Sequence, residues 1–476
     1  MALRSGLGGQ WAAIDETTYG VVPSLSSALF YAADNDSLGL RKVAKQGTGI
    51  FSGSLAPRSS RRAITEYSAG GSLPMDLPQR QMNAWLYRMF GSYGQAAATL
   101  TQDMSTLAYK STHALGALEG HSFALQKGAP TADNGTVVPI SYPGCKVSEW
   151  EISCALGEIA KLTLTIEARN EIAGSWKDPL NSSVPALQAF VAPPGGVFQW
   201  VGGTVYYGGT PSTTPLVAAP SAPGVATATT GGTVLAGTYQ VTVTYTNAQG
   251  ETIASTASPI TTTGSTSTIT ITAPAAAAYA TNWYAYVSQA GGTALSATRQ
   301  QAAGSPTLLG TNLVLTAPPT STGLVAQLAN TAGAITTLTS PTVAGNIKGP
   351  ISVKLTRPLD LERYAIDVAP FRNEPLQNAV TQPSGSFGVE WLSAETYYAA
   401  YQADTATSIE LQFLGPAIGS GSDFSTLSVL CANIRLDGDS PSISGPAVLE
   451  QVVPWSVFDD AVDNIIQATY WTLDTV

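Results

Sequence analysis

Alternation of apolar and polar residues is the main pattern along the chain, and this period of two predicts β-strands. In residues 238–246 every second side chain is Val or Tyr and the others are Thr or Gln, while residues 160–168 alternate Leu and Ile with Thr and Glu. The same pattern predicts further strands at about 121–127, 145–154, 265–272, 283–287, 347–357, 385–391, 407–414, 427–436 and 464–473. The chain is therefore predicted to be mainly β.

Two segments have the apolar spacing of a helix that packs on one side. Residues 78–90 carry a single apolar stripe, with Pro78 in the first turn and Gly91 after the last residue, which are favoured positions for both residue types. A second helix is predicted at about 393–401. Predicted strands surround each helix, so we expect two α+β sandwich units with one side helix each.

The middle of the chain carries very little charge. Between Pro179 and Ile347 the charged residues are Glu251 and Arg299 alone, and prolines flank residues 215–322 on both sides. The short, closely spaced strands predicted within 215–322 are typical of a small β-sandwich. Their sequence resembles immunoglobulin-like and fibronectin type III modules, so we expect an inserted domain of that type.

Short segments of the first half recur in the second half in the same order. The matching pairs are Gly71–Leu77 with Gly385–Trp391, Ser122–Gln126 with Ser408–Gln412, and Cys145 with Cys431. One match of this length is common by chance, whereas three in order indicate an internal duplication. We therefore expect residues 1–210 to form the first copy with an N-terminal arm, 215–322 the insert, and 330–476 the second copy.

Composition limits the partners that the chain can have. Charged residues make up 11% of the sequence and the net charge is −10, with an isoelectric point near 4.7. Such an acidic protein is a poor ligand for nucleic-acid phosphates or anionic membranes. The first residues lack the basic and apolar regions of a secretory signal, and no apolar run is long enough for a membrane span. The three cysteines predict no disulfide framework and favour synthesis in a reducing cytoplasm.

Residues that carry catalysis or bind metals are sparse. The two histidines, His113 and His121, have no Cys, Asp or Glu at the spacing of metal ligands, and the chain has no Gly-x-Ser-x-Gly motif. Residues 437–440 supply some of the oxygen ligands of a calcium-binding loop but lack the others. The sequence therefore predicts no enzyme, cofactor or metal site, with calcium at 437–440 as a minor alternative.

Three longer segments carry a resemblance to a known family: Gly6–Phe30, Gly144–Glu171 and Asn433–Trp455. They resemble the tail tube proteins of long-tailed bacteriophages, and together with their surroundings they cover most of the chain outside 215–322. The resemblance implies two tail-tube-type sandwich units with long loops and an N-terminal arm, and no catalytic residues. A secreted adhesin or carbohydrate-binding protein built from several sandwiches is the alternative.

The resemblance also implies an assembly. Tail tube proteins close into rings that stack as a tube, and the tube is the conduit for DNA delivery into the host. A duplicated chain would need three copies for a ring of six units, with a ring of six whole chains as the alternative. The implied partners are the chain itself and the tape measure, tail terminator and tail tip proteins, while DNA passes through without specific binding. Such a protein is made in the host cytoplasm, resides in the virion tail and displays the insert on its outer surface.

Two groups of charged residues are candidates for roles in that assembly. Contacts between rings are predicted for a basic and an acidic cluster, which comprise Arg58, Arg61, Arg62, Asp459, Asp460 and Asp463. A channel that carries DNA should repel phosphates, and the predicted lumen acids are Glu167, Glu410 and Asp437. A solvated surface loop is the alternative for the basic cluster.

Overall fold

The computed structural model describes most of the chain. The described residues are 6–49, 55–91, 101–102, 108–131, 136–247, 250–301, 306–321, 325–326, 330, 332, 335–345, 347–366, 370–391, 397–418, 423–438, 443 and 449–474. Strands dominate within these ranges, so the predicted mainly β fold is confirmed. The five residues before Tyr397, where part of the second predicted helix falls, lie outside the described ranges.

Ten strands and one α-helix precede residue 200. In chain order they are β1 (Gln10–Asp15), β2 (Leu29–Tyr31), β3 (Gly39–Gln46), β4 (Arg62–Asp76), α1 (Met82–Phe90), β5 (Thr101–Gln102), β6 (Tyr109–Ala114), β7 (Phe123–Pro130), β8 (Val137–Cys154), β9 (Lys161–Ala168) and β10 (Ile172–Ala173). Helix α1 begins later than predicted because Gln81 has a left-handed backbone with φ of 61°. It ends at Gly91, where a Cβ would stand 2.3 Å from the carbonyl oxygen of Ala117.

The central part of the chain consists of short strands. They are β11 (Gly203–Tyr207), β12 (Thr210–Thr214), β13 (Val225–Ala228), β14 (Gly237–Thr246), β15 (Ser258–Thr262), β16 (Thr268–Ile271), β17 (Asn282–Val287), β18 (Thr298–Arg299), β19 (Thr307–Leu308), β20 (Leu313–Leu315) and β21 (Ile335–Thr339). Strands β13 to β20 form two small sheets around a separate core that includes Val241, Ile269 and Trp283. The antiparallel ribbon of β12 and β21 joins this part to the body.

The last part of the chain returns to long strands. They are β22 (Thr342–Val343), β23 (Ile347–Thr356), β24 (Gln382–Glu390), α2 (Tyr397–Gln402), β25 (Thr407–Ala417), β26 (Phe424–Leu436), β27 (Glu450–Val457) and β28 (Ile466–Thr472). The sequence pattern predicted all of these strands except β27 and β22, and β22 has only two residues. In β27 the residue Pro454 breaks the appearance of a strand, yet Val453, Trp455 and Val457 are buried in the main core.

Eight of the long strands form one continuous sheet. Their order is β3, β4, β9, β8, β23, β24, β27 and β26, and every neighbouring pair is antiparallel. A second layer of strands, which includes β7 and β25, lies across the main core, because Leu125 and Leu411 belong to the same core as Leu164 and Phe387. We call these eight strands the continuous sheet.

The same seven strand pairings occur twice in the body. The pairs β1–β2, β1–β7, β7–β8, β8–β10, β8–β9, β4–β9 and β3–β4 recur as β11–β22, β11–β25, β25–β26, β26–β28, β26–β27, β24–β27 and β23–β24. We call β1–β4 with β7–β10 the first strand set, and β11 with β22–β28 the second. Because β11 precedes residues 215–322 and pairs with β25, the second set begins before those residues and encloses them.

Candidate assembly surfaces

The two strand sets meet where β8 of the first set pairs with β23 of the second. The register runs from Ile351 opposite Cys154 to Thr356 opposite Glu149. On the surface of this junction the Nζ of Lys354 lies 3.0 Å from Oε2 of Glu149, and the Thr356 hydroxyl donates a hydrogen bond to the same oxygen at 2.9 Å. The backbone ladder joins the two sets into one sheet, and the ion pair lies on its surface.

The counterparts of these two strands have open edges. In the second set β26 occupies the place of β8, and in the first set β3 occupies the place of β23. Among the described residues β3 pairs with β4 alone, and Arg435 and Leu436 at the end of β26 pair with β27 alone. An open edge presents unpaired backbone donors and acceptors, and it is therefore a site for pairing with another strand.

The chain that leaves β23 folds back onto the first strand set. We call the described residues 357–366 and 370–378 the anchored loop. The Arg357 backbone N–H donates to the carbonyl oxygen of Ser148 at 2.7 Å. Its guanidinium donates to the carbonyl oxygen of Phe90, the last residue of α1, and to that of Gly116. Burial lowers the pKa of Arg357 to about 10. Three carbonyl oxygens thus fix the start of the loop.

Two further contacts fix the end of the anchored loop. Arg372 donates a hydrogen bond to the carbonyl oxygen of Ala168, at the end of β9, at 2.8 Å. Lys146 is fully buried and its Nζ lies 2.6 Å from Oε1 of Glu374. Because a buried ion pair is costly to break from one side, these contacts hold the loop on the first set.

The counterpart of the anchored loop is a basic hairpin. The described residues 42–49 leave β3 and the described residues 55–66 return in β4, and we call these two segments the basic hairpin. Its cations are Lys42, Lys45, Arg58, Arg61 and Arg62, and its one acid is Glu66. The three cations that lie within β3 and β4 are exposed and form no ion pair among the described residues: Lys42, Lys45 and Arg62. The hairpin continues the β3–β4 ladder, and at its base Tyr67 N–H donates to the carbonyl oxygen of Pro370 in the anchored loop at 2.8 Å.

One face of the continuous sheet is polar. The residues that alternate with the core residues are mainly Ser, Thr and charged side chains, and we call this surface the polar face. Its carboxylates include Asp76, Glu149, Glu151, Glu390, Asp437, Glu450 and the buried Glu167, and its cations include Arg41, Lys161, Lys348, Lys354 and Arg435. Glu151 and Glu450 form no ion pair with a described residue, whereas Lys161 contacts Asp34 at 2.8 Å and Asp76 at 2.6 Å. The face carries more acids than cations.

The sequence of the chain matches a known protein family. A family model described as phage tail tube protein matches residues 6–312 of the chain. The chain belongs to this family. No curated protein matches it at a significant level.

Membership identifies a structural component of the virion tail. The family match begins just before β1 of the first strand set and ends within the uncharged central part. Strands β22–β28 lie beyond the matched residues. Their likeness to the tail tube strands of the first set therefore rests on the repeated pairings.

The predicted contact residues of this tail tube protein lie on separate loops. Arg58, Arg61 and Arg62 are exposed on the basic hairpin. Asp459 and Asp460 are exposed between β27 and β28, where their carboxylates accept hydrogen bonds from backbone N–H groups of the same loop. Asp463 is half-buried and accepts a hydrogen bond from the Thr213 hydroxyl at 2.7 Å, at the base of the β12–β21 ribbon. Among the described residues of one chain, no ion pair joins the two clusters.

The predicted lumen acids of the tail tube protein differ in sheet layer and in burial, and only Asp437 is exposed on the polar face. Glu167 is only 6% exposed, and its carboxylate is paired with Arg41 at 2.9 Å and Arg372 at 3.4 Å. Glu410 lies in β25, in the layer across the core, and accepts a hydrogen bond from Ser428. Asp437 is exposed on the polar face and accepts a hydrogen bond from Ser456 at 2.6 Å.

Sequence reasoning missed the other carboxylates of the polar face. Glu149 and Glu151 alternate with the buried residues Trp150 and Ile152, so the signal was present in the strand pattern. The pattern shows which residues of one strand share a face. It does not show that β8 and β24 belong to the same sheet, so the surface as a whole was not predictable.

Both histidines of the tail tube protein have local structural roles. His113 is buried and its Nε2 lies 3.0 Å from Oδ1 of Asn83 in α1, and burial lowers its pKa to about 3. The Nδ1 of His121 lies 2.7 Å from the hydroxyl of Tyr87. Within the described ranges, no three His, Cys, Asp or Glu side chains are grouped for metal binding. Residues 439 and 440 of the alternative calcium loop lie outside those ranges.

No helix in the described part of the chain is long and apolar enough to cross a bilayer.

Proposed function

We propose that three copies of this chain close into a ring and that the rings stack into the tail tube. The observation that carries the proposal is the pairing of β8 with β23 inside the chain, together with the open edges of their counterparts, β26 and β3. In the ring, β26 of one copy pairs with β3 of the next. Each copy supplies two strand sets, so three copies give six.

Ring closure removes the open edges of the sheet. The continuous sheet of each copy becomes part of one closed barrel, in which every strand has two neighbours. In this arrangement the domains are the first strand set, the second strand set and an insert enclosed by the second set. A ring of six whole chains is the alternative, in which one strand set of each copy would not line the channel.

The polar face lines the channel in this proposal. The opposite face of the continuous sheet is covered by the main core, so the polar face is the one available to an open channel. DNA must slide through the tube during delivery, and an excess of carboxylates repels its phosphates and opposes multivalent binding. Asp437 remains a lumen acid in this proposal, and Glu149, Glu151, Glu390 and Glu450 replace Glu167 and Glu410.

The insert projects from the outer wall. Its connecting ribbon, β12–β21, follows β11 and precedes β22, and both of these strands belong to the layer across the core from the polar face. Hydrogen bonds hold the base of the ribbon: Thr336 N–H donates to Gln467 Oε1 at 2.8 Å, and Asn464 N–H donates to the Thr336 hydroxyl at 3.1 Å. These contacts support a position of the insert away from the channel.

The remaining partners follow from the role of a tail tube. The tape measure protein would occupy the channel before DNA release, and the terminator and tip proteins would bind the two ends of the tube. Assembly takes place in the cytoplasm of the host bacterium. The tube delivers DNA without specific binding to it.

Native mass spectrometry and negative-stain electron microscopy of the purified chain test the proposal. We expect particles of three times 49.1 kDa and hollow rings or tubes with six-fold pseudosymmetric end views. A ring mass of six chains would overturn the three-copy arrangement. Monomers alone, at high protein concentration and over a range of salt concentrations, would contradict the proposed self-assembly.

A further inference from the structure

The anchored loop and the basic hairpin occupy the same position in the two strand sets. Ser352 faces Ser386 in the second set, and the backbone of Ser37 donates to the carbonyl oxygen of Ser72 in the first. Counting along the strands from these pairs places Arg357 and Lys42 at corresponding positions, and the two segments have similar lengths. The anchored loop packs on the other strand set of its own chain, whereas the basic hairpin contacts the second strand set through no ion pair or hydrogen bond between described residues.

We infer that the basic hairpin of one copy docks on the second strand set of the neighbouring copy in the same ring, as the anchored loop docks on the first set. The inference rests on the proposed ring. It assigns the partner as a second copy of this chain and the contact as lateral. The sequence alone placed Arg58, Arg61 and Arg62 between rings.

The docking site follows from what the anchored loop covers. That loop contacts the carbonyl oxygen of Phe90 at the end of α1 and that of Ala168 at the end of β9. The corresponding places in the second set are the residues after α2 and after β27. Asp404 follows α2, and Phe458, Asp459 and Asp460 follow β27. These four residues form the proposed acceptor.

The acceptor is open in the isolated chain. The side chain of Asp404 is 82% exposed, with one long contact of 3.9 Å to Arg435. Phe458 is 47% exposed, which is unusual for an aromatic ring at the end of a buried strand. No part of the described chain covers these residues as the anchored loop covers the ends of α1 and β9.

The hairpin has the chemistry that fits this acceptor. Lys42, Lys45 and Arg62 supply cations for the carboxylates of Asp459 and Asp460. Val43 and Ile64 are 38% and 42% exposed on the same hairpin, and they supply apolar surface. Opposite charge around an apolar contact is the usual arrangement of a specific interface.

The direction of the contact follows from strand pairing. The anchored loop begins where the pairing of β23 with β8 ends, and it therefore reaches the set to which β8 belongs. In the ring, β3 of one copy pairs with β26 of its neighbour. The hairpin that leaves β3 consequently reaches the second set of that neighbour, in the plane of the ring.

Disulfide cross-linking of assembled rings tests the inference. The variant Lys45→Cys with Asp459→Cys places one thiol on the hairpin and one on the acceptor, and the three native cysteines are buried. The matched control is Lys45→Cys with Glu158→Cys, since Glu158 is exposed in the turn between β8 and β9. After oxidation, we expect a non-reducing gel ladder that ends at three chains for the test pair and mainly monomer for the control.

The other possible results of the cross-linking experiment distinguish failure of the docking from failure of the proposed ring. A ladder that continues beyond the number of chains in one ring would place the contact between rings and overturn the inference. Rings without cross-links would overturn it as well. A ladder that ends at six chains would support lateral docking but contradict three-copy rings. If the unmodified chain forms no rings, the proposed function fails, and the docking fails with it.

A charge exchange gives a second readout that needs no cysteine. Lys42→Glu with Lys45→Glu should reduce ring formation at low salt, and so should Asp459→Lys with Asp460→Lys. The four substitutions together should restore it, because the attraction is re-formed with reversed signs. Unchanged assembly in both double variants would contradict the docking while leaving the ring proposal intact.

Discussion

A Cβ atom on Gly385 would stand 2.2 Å from the carbonyl oxygen of Ser352 on the neighbouring strand β23. The same relationship exists in the first strand set, where a Cβ on Gly71 would stand 2.4 Å from the carbonyl oxygen of Ser37. Real Cβ atoms do not approach an oxygen so closely. The repeated Gly-Ser motif therefore has glycine at this position because only a residue without a Cβ lets the adjacent chain approach so closely, at the same point of both sets.

Replacement of this glycine should destabilise the fold. We expect Gly385→Ala to lower the free energy of unfolding by about 1–3 kcal/mol, since either the backbone of β23 or the ring of Trp455 must move. Thermal or denaturant unfolding of the purified variant measures the change. Gly39→Ala is the matched control, because a Cβ on Gly39 meets no atom within 4 Å. Equal stability of the two variants would contradict the close approach.

The buried His113 should make stability depend on pH. Its pKa is lowered to about 3 in the folded chain, whereas an exposed histidine titrates near 6.5. The unfolded chain therefore binds a proton that the folded chain excludes, and the free energy of unfolding should fall as the pH is lowered from about 6.5 towards 3. The slope is at most about 1.4 kcal/mol per pH unit for one group.

Substitution of His113 separates its contribution to the pH dependence of stability from that of the carboxylates. His113→Gln should be less stable than the native chain at pH 7, but it should lose less stability between pH 6.5 and 4. Denaturant unfolding at several pH values measures both differences. His121→Gln is the comparison, because that ring is only partly buried and should contribute less. Identical pH dependence in the native chain and in His113→Gln would contradict burial of a neutral ring.

Excision of the insert should leave assembly intact. Thr214 and Ile335 are directly opposite in the β12–β21 ribbon, so residues 215–334 can be replaced by a two-residue Asn-Gly turn. The insert has a core of its own, and we expect the shortened chain to form rings and tubes of reduced outer diameter. Electron microscopy measures both properties. Loss of assembly would assign the insert a structural role in the ring.

Charge reversal on the polar face should create DNA binding. Glu151→Lys with Glu450→Lys replaces two carboxylates that form no ion pair with a described residue. We expect assembled tubes of this variant to retain DNA at low salt and to release it as the salt concentration rises. Co-sedimentation of tubes with DNA gives the readout, and Glu158→Lys, in the turn at the end of β8, is the control. Equal retention by both variants would contradict a channel lined by the polar face.

The sequence predicted individual elements well where the pattern was regular. The alternation at 160–168 corresponds to β9, the alternation at 238–246 to β14, and the apolar stripe at 78–90 to α1. Elements without a regular pattern were missed or shifted. Strand β27 contains Pro454, and the start of α1 depends on the backbone of Gln81, which no sequence pattern reveals.

Pairing between distant strands was the part that the sequence did not provide. The repeated motifs indicated a duplication and placed its second copy after residue 330. Strand β11 lies more than a hundred residues earlier and pairs with β25, so the second set encloses the insert. The repeated motifs do not include β11, because this strand is short and the whole insert separates it from its partners in the sequence.

The sequence by itself determined the strand-rich fold, the low charge of the central part and the resemblance to tail tube proteins, because these depend on composition and on local periodicity. The tertiary structure decided which charges share a surface. Glu167 lies in β9 and Asp437 directly follows β26, yet Arg41 and Arg372 neutralise the first and the second is exposed to solvent. These two ion pairs join residues 126 and 205 positions apart, and a local pattern carries no information about such contacts.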